Sequence, residues 1–155
     1  MTLDELLAAC SQKGFQGSGP GGQHRNKTNT GVQLNLREYN LEIKSCEARS
    51  AKENRVHALH RMQMAIALHV REAPSSPEIP FPGSNGHIQP SNPQFPLFIA
   101  HVFDIMATKS GDTKAAAQAF GLSPSALVKI LRQDKACAEK LQKQRIAGGK
   151  QKLKL

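Results

Sequence analysis

The chain has 155 residues, 39% of them hydrophobic and 21% charged, with a formal net charge of +9. That suits one ordinary domain or two very small ones, and the positive surplus favours a polyanionic partner. Three cysteines without a CxxC pair count against a disulfide framework and a zinc ribbon, and no apolar run approaches the roughly 20 residues of a bilayer span.

The opening MTLDELLAACSQKG holds two acids and no arginine, unlike a signal or transit peptide. With cysteine usage that fits a reducing cytosol, the chain reads as cytoplasmic, with no membrane partner. Leu3 to Cys10 reads as a short helix. Phe15 and Gln16 fit a short strand leading into SGPGGQHRNKT, residues 18–28. Gly31 to Leu36 alternates apolar and polar residues and predicts a strand. Tyr39-Asn40 turns the chain, and Leu41 to Cys46 alternates again, as an antiparallel partner would. Ser50-Ala51-Lys52-Glu53 has the spacing of a capping box and opens a helix to about Arg71, with Val56, Leu59, Ile66 and Val70 expected to pack on the sheet.

Seven of the nine prolines lie between Pro74 and Pro96. Proline fixes φ and removes a donor, so this stretch predicts a semi-stiff, extended linker. Beyond it the pattern is helical. Ile99, Val102, Phe103 and Met106 follow i, i+3, i+4, i+7. Asp112 and Ser123 are candidate N-caps, the second followed by Pro124 at the first helical position. Gly121 suits a left-handed helix end. Leu127, Ile130 and Leu131 should face inward, and Asp134 should cap a last helix toward Arg145. The run KAAAQAFGLSPSALVKIL has the outline of a helix-turn-helix, which small helical bundles also show.

The expected fold is therefore α+β. A small antiparallel sheet packed by a long helix and bearing a glycine-rich loop occupies residues 1–72. A Pro-rich linker covers 73–96, a small all-α helix-turn-helix-like module 97–146, and a basic tail 147–155. Charge divides unevenly: residues 1–72 hold ten Lys/Arg against seven Asp/Glu, and residues 99–155 hold eleven against four. Lys140, Lys143, Arg145, Lys150, Lys152 and Lys154 follow one another without an acid, which fits a frayed, solvated tail or, the favoured reading, an arm that binds phosphates by counterion release. His57 and His60 stand i, i+3 on the long helix, but no carboxylate pair or cysteine completes a site. No metal and no cofactor is expected.

The loop poses the functional question. Gly21 and Gly22 lack Cβ and allow close approach of another chain, and adjacent N–H groups can point at a phosphate or a developing oxyanion. The GK[ST] ending of a Walker loop is absent, and so is a helix following the glycines, so nucleotide cradling is a weak reading. Gln23 cannot act as a general base. Its amide can position water and its backbone N–H can donate.

SGPGGQH-x-NKT before a strand, then Cys46-Glu47-Ala48-Arg49-Ser50 on to Asn54-Arg55 entering a helix, resembles the peptidyl-tRNA hydrolysis (GGQ) domain of the class-I peptide chain release factors. The resemblance covers roughly residues 1–72. It implies a loop that enters the peptidyl-transferase centre of the large ribosomal subunit and promotes attack of water on the peptidyl-tRNA ester. Gly21 and Gly22 would fit beside the terminal adenosine. The Gln23 N–H would stabilise charge in the transition state or on the leaving oxygen, and its side chain would place the water. In the family this glutamine is commonly N5-methylated by a dedicated methyltransferase, so modification of Gln23 is an expectation.

His24, Asn26, Lys27 and Thr28 would brace the loop and contact RNA. Arg25 departs from the small apolar residue common at its position and would either add a phosphate contact or stay solvated. Arg49, Lys52 and Arg55 cluster at the helix start, either as a solvated turn or as rRNA contacts. A codon-reading domain has no room in this length. The chain thus resembles stand-alone rescue relatives, whose basic tail enters the small-subunit mRNA channel. The implied partners are the ribosome with its 23S-type rRNA, peptidyl-tRNA and a glutamine methyltransferase, with the protein a monomer. The alternative is a ribosome- or RNA-binding regulator that works through its helical module and keeps the loop as a non-catalytic binding element. A DNA regulator would need a dimer and a defined operator, and neither is visible.

Overall fold

The structure is a computed structural model that describes residues 3–16, 30–71 and 80–154. The chain divides into two compact units, Met1–Ile66 and Ala67–Leu155.

The first unit opens with helix α1, Leu3–Ala9, and strand β1, Ser11–Phe15. Strand β2, Gly31–Leu36, is followed by a 3-10 turn at Arg37–Tyr39, strand β3 at Leu41–Ser45 and the long helix α2, Ala51–His69. The three strands form one antiparallel sheet in the order β1-β2-β3. Phe15 pairs with Gly31 at one end of the β1–β2 ladder and Ser11 with Asn35 at the other. Asn40 closes the β2–β3 connection in the left-handed region, φ 52°, a conformation Asn tolerates better than most residues.

The two-residue period of β2 puts Val32, Leu34 and Leu36 on one face. There they pack with Leu6, Ala58, Leu59 and Met62, and Tyr39, Leu41, Ile43 and Ile66 border the cluster. This corrects the expected helix stripe. Leu59 and Ile66 do face the sheet, but Val56 is exposed. The sheet receives α2 through Ala58 and Met62, one helix face that runs 58, 59, 62, because a small Ala lets the helix backbone come close.

The second unit is helical. Helix α3 is Phe95–Thr108, α4 Thr113–Gln118, α5 Pro124–Leu131 and α6 Lys135–Ala147. Ile99, Val102, Phe103 and Met106 are fully buried, as the i, i+3, i+4, i+7 spacing predicts. Each later helix has a side-chain cap. Asp112 accepts from the Lys114 N–H, Ser123 from Ala126 and Asp134 from Cys137. Gly121, φ 63°, ends α4, and the Leu122 N–H reaches back to the Ala117 carbonyl at 2.9 Å. Leu127, Ile130, Leu131, Cys137 and Leu141 fill the core with three phenylalanines of α3.

Residues 80–94 turn back on themselves at the Ser84–His87 bridge and pack in part, rather than running extended. The Phe81 ring meets Phe98 edge-on at 5.5 Å, and Phe98 meets Phe120 at 4.8 Å. Ile88 is buried, and its carbonyl accepts from Gln133 Nε2 at 3.0 Å. Prolines exclude helix and central strand here but do not exclude burial of the apolar residues between them. Residues 73–79 of the expected linker lie outside the described residues.

The basic end is folded too. The Lys150 N–H bonds the Arg145 carbonyl at 2.8 Å, with Gly149 at φ 73°, and the chain turns back along α6. The Gln142 amide then brackets Leu153, donating to its carbonyl at 2.7 Å and accepting from its N–H at 3.0 Å. No helix among the described residues is long and apolar enough to cross a membrane.

Candidate functional site

The loop residues Gly21, Gly22, Gln23, His24, Arg25, Asn26, Lys27 and Thr28 lie outside the described residues. The structure describes the frame from which the loop leaves and to which it returns. β1 and β2 bring its two ends together through the Phe15–Gly31 pair. A Cβ on Gly31 would stand 2.7 Å from the Phe15 carbonyl oxygen and 2.9 Å from two ring atoms of Phe15. Only glycine lets the ring lie across the returning strand.

Asn54 holds the same place from the other side. It sits in the first turn of α2 and is fully buried. Its Nδ2 donates to the carbonyl of Thr30 at 2.8 Å and to that of Ala48 at 2.9 Å, while its Oδ1 accepts from the Ala48 N–H at 2.9 Å. One amide thus joins the residue just before β2, the turn after β3 and the helix start. Ser45, also buried, approaches Asn54 Oδ1 at 3.5 Å and donates to Glu47 Oε2 at 2.6 Å. Glu47 is in turn paired with Arg61 Nη1 at 2.7 Å, and that nitrogen also donates to the Lys44 carbonyl. The Ser45 hydroxyl first, then Arg61, hold the Glu47 carboxyl down at about 2.

Arg49, Lys52 and Arg55 are exposed at the start of α2. His57 and His60 are exposed as well, and no three His, Cys, Asp or Glu side chains among the described residues are grouped to hold a metal ion. The sequence reading named Asn54 as part of a motif but gave it no role. A buried, side-chain-bonded Asn in a helix first turn is the signal that motif carried.

The six C-terminal cations separate into three groups. Lys140 is half-buried, with Nζ 5.9 Å from the Phe103 ring centroid, and burial lowers its pKa. Lys143 and Lys152 are exposed. Arg145, Lys150 and Lys154 line one cleft with Lys114, Lys129 and Arg132. These last three were not singled out from the sequence, because residues of two different helices meet there only after folding.

The match to known families decides the first unit's kind. Residues 9–79 fit the family model of the RF-1 domain. That segment is an RF-1 domain, the GGQ domain family of class-I release factors. The RF-1 domain covers both ends of the described frame, the glycine loop between them and α2. Its family is associated with peptidyl-tRNA hydrolysis and with the ribosome in general. No curated protein and no solved structure matches the chain.

Proposed function

We propose that the protein is a codon-independent release factor of the rescue type, which hydrolyses the peptidyl-tRNA ester on stalled ribosomes. The observation that carries this reading is an RF-1 domain at residues 9–79 with an intact Gly21-Gly22-Gln23.

The substrate is an activated ester already held by the ribosome and tRNA. Water attacks its carbonyl carbon, the bond to the tRNA ribose oxygen breaks, and the products are a free peptide carboxyl and a tRNA hydroxyl. The factor need supply only position and preorganised dipoles, and one well-aimed donor is worth roughly 10²–10³ in rate. The Gln23 N–H serves as that donor, its side chain places the water, and the two glycines let the backbone approach. N5-methylation of Gln23 by a partner methyltransferase would tune the fit. His24, Arg25, Asn26 and Lys27 brace the loop and touch rRNA, with Arg49, Lys52 and Arg55 on the adjoining helix start. In this reading the factor works as a cytoplasmic monomer without a cofactor, and the helical second unit supplies RNA affinity.

The frame around Thr30 supports the reading. A loop that acts by position needs fixed ends, and a buried amide with three hydrogen bonds fixes one of them. The test is peptide release from ribosomes holding labelled peptidyl-tRNA, on a truncated message and on an intact one. Release on the truncated message without a stop codon is the expected result. Binding without release on either message would favour the alternative of an RNA-binding regulator.

A further inference from the structure

The second unit carries an open cleft of about 720 Å³. Its walls come from three pieces of chain, and Arg145 of α6 lines it between them. The start of α4 gives Lys114. One face of α5 gives Val128, Lys129 and Arg132. The folded-back end gives Lys150, Leu153 and Lys154.

The third wall is built, not trailing. Besides the Gln142 amide on Leu153, Arg145 Nε donates to the Gln151 carbonyl at 3.1 Å, and Arg145 Nη1 donates to Thr113 Oγ1 at 2.9 Å. The same guanidinium therefore ties the end segment to α4.

Six cations face one acid across this cleft. That acid, Asp112, is already used as the α4 cap. Lys129, Arg132 and Lys154 make no ion pair with any described residue. Cations gathered around a cleft without counter-charges make a focused positive field. No aromatic residue lines it, so it offers no platform on which unpaired bases could stack. Phosphate contacts without base contacts read the backbone and not the sequence.

We propose that this cleft is a preformed site for the phosphate backbone of double-helical RNA, and that the folded-back C-terminal segment is one of its walls. The choice of RNA rests on the proposed ribosomal function. The C-terminal charge acts here as part of a shaped surface and not as a free arm.

The test is fluorescence anisotropy of the full chain with a labelled RNA hairpin of about 16 base pairs, a typical footprint for duplex RNA recognition. Unlabelled oligo-U and polyglutamate serve as competitors. The double variant Lys129→Glu/Arg132→Glu should bind at least about tenfold more weakly and lower the salt slope by about 2, one unit per lost phosphate contact. The pair Lys109→Glu/Lys135→Glu makes the same change in net charge away from the cleft and should cost clearly less. Gln142→Ala keeps every cation but frees the wall, and should weaken binding several-fold while Cys137 stays protected from alkylation.

Equal loss in the two double variants would overturn the site. Unchanged binding by Gln142→Ala would overturn the wall and return the segment to a free arm. Displacement by polyglutamate as readily as by RNA duplex would make it an acidic-protein site, and preference for oligo-U would make it a single-strand site. Peptide release, run on the same proteins, separates the two proposals. Hairpin binding without release by wild type sinks the release function alone, and release without hairpin binding sinks the cleft alone.

Discussion

Asn54 donates a 2.8 Å hydrogen bond to the carbonyl of Thr30, across 24 residues of sequence. Thr30 is the last residue before β2, so this bond sets where the chain re-enters the sheet after the glycine loop. Asn54→Ala removes the partners of Thr30 and of both backbone groups of Ala48. A buried polar group left without a partner costs about 1–3 kcal/mol, so the first unit should lose at least about 2 kcal/mol. Tyr39 is the only tyrosine and there is no tryptophan. Its fluorescence in urea therefore reports this unit, and the midpoint should fall with an unchanged slope. An unchanged midpoint would show that the amide does not hold the frame.

Gly31→Ala should act on the same frame by overpacking. The new Cβ would meet a backbone oxygen at 2.7 Å as well as the Phe15 ring. A loss of about 1–3 kcal/mol is expected. Adding Phe15→Leu should restore only part of it, because the carbonyl contact remains. Full restoration would place the whole clash in the ring.

Acid should weaken the first unit through Glu47. Its folded pKa, about 2, lies below its ordinary 4.5. A depressed carboxylate contributes stability that is present above the ordinary value and is lost as pH falls through the folded one. Tyr39 fluorescence at fixed urea should therefore show the unit weakening between pH 4.5 and about 2. Glu47→Gln should flatten that part of the profile. The pair with Arg61 is half-exposed, so the effect is small and salt-dependent. A profile identical in the variant would remove Glu47 from the frame.

Cys137 should report the second unit. It is fully buried and burial raises its pKa, so its thiolate is scarce. Iodoacetamide followed by mass spectrometry should leave Cys137 unmodified in the native protein and label it as urea opens the helices. Modification without denaturant would contradict the packing of α6.

Much of this fold was legible because local chemistry and global fold agree. β2 and β3 alternate with period two, and Asp112, Ser123 and Asp134 cap the helices that follow them. β1 was nearly silent: Ser11–Phe15 is an edge strand with no buried residue, so it carries no alternation to read. α2 misled at Val56, since its apolar residues are spread around the helix and the close contact is made by Ala58. The proline stretch misled because rigidity was read as extension, while Phe81 and Ile88 found a core to enter. The glycine loop was legible as a motif and through it as an RF-1 domain. The hydrogen bonds of Asn54 and the grouping of Lys114, Lys129 and Arg132 in one cleft were not, because each depends on neighbours that only the fold supplies.

The most direct test of the release function is single-turnover peptide release by Gly22→Ala on a truncated message, at concentrations that saturate binding. The account predicts ribosome affinity within about twofold of wild type and a release rate lower by about 10² or more, since an aligned donor is worth that much. Release at the wild-type rate by Gly22→Ala would contradict it and take the loop out of the chemistry.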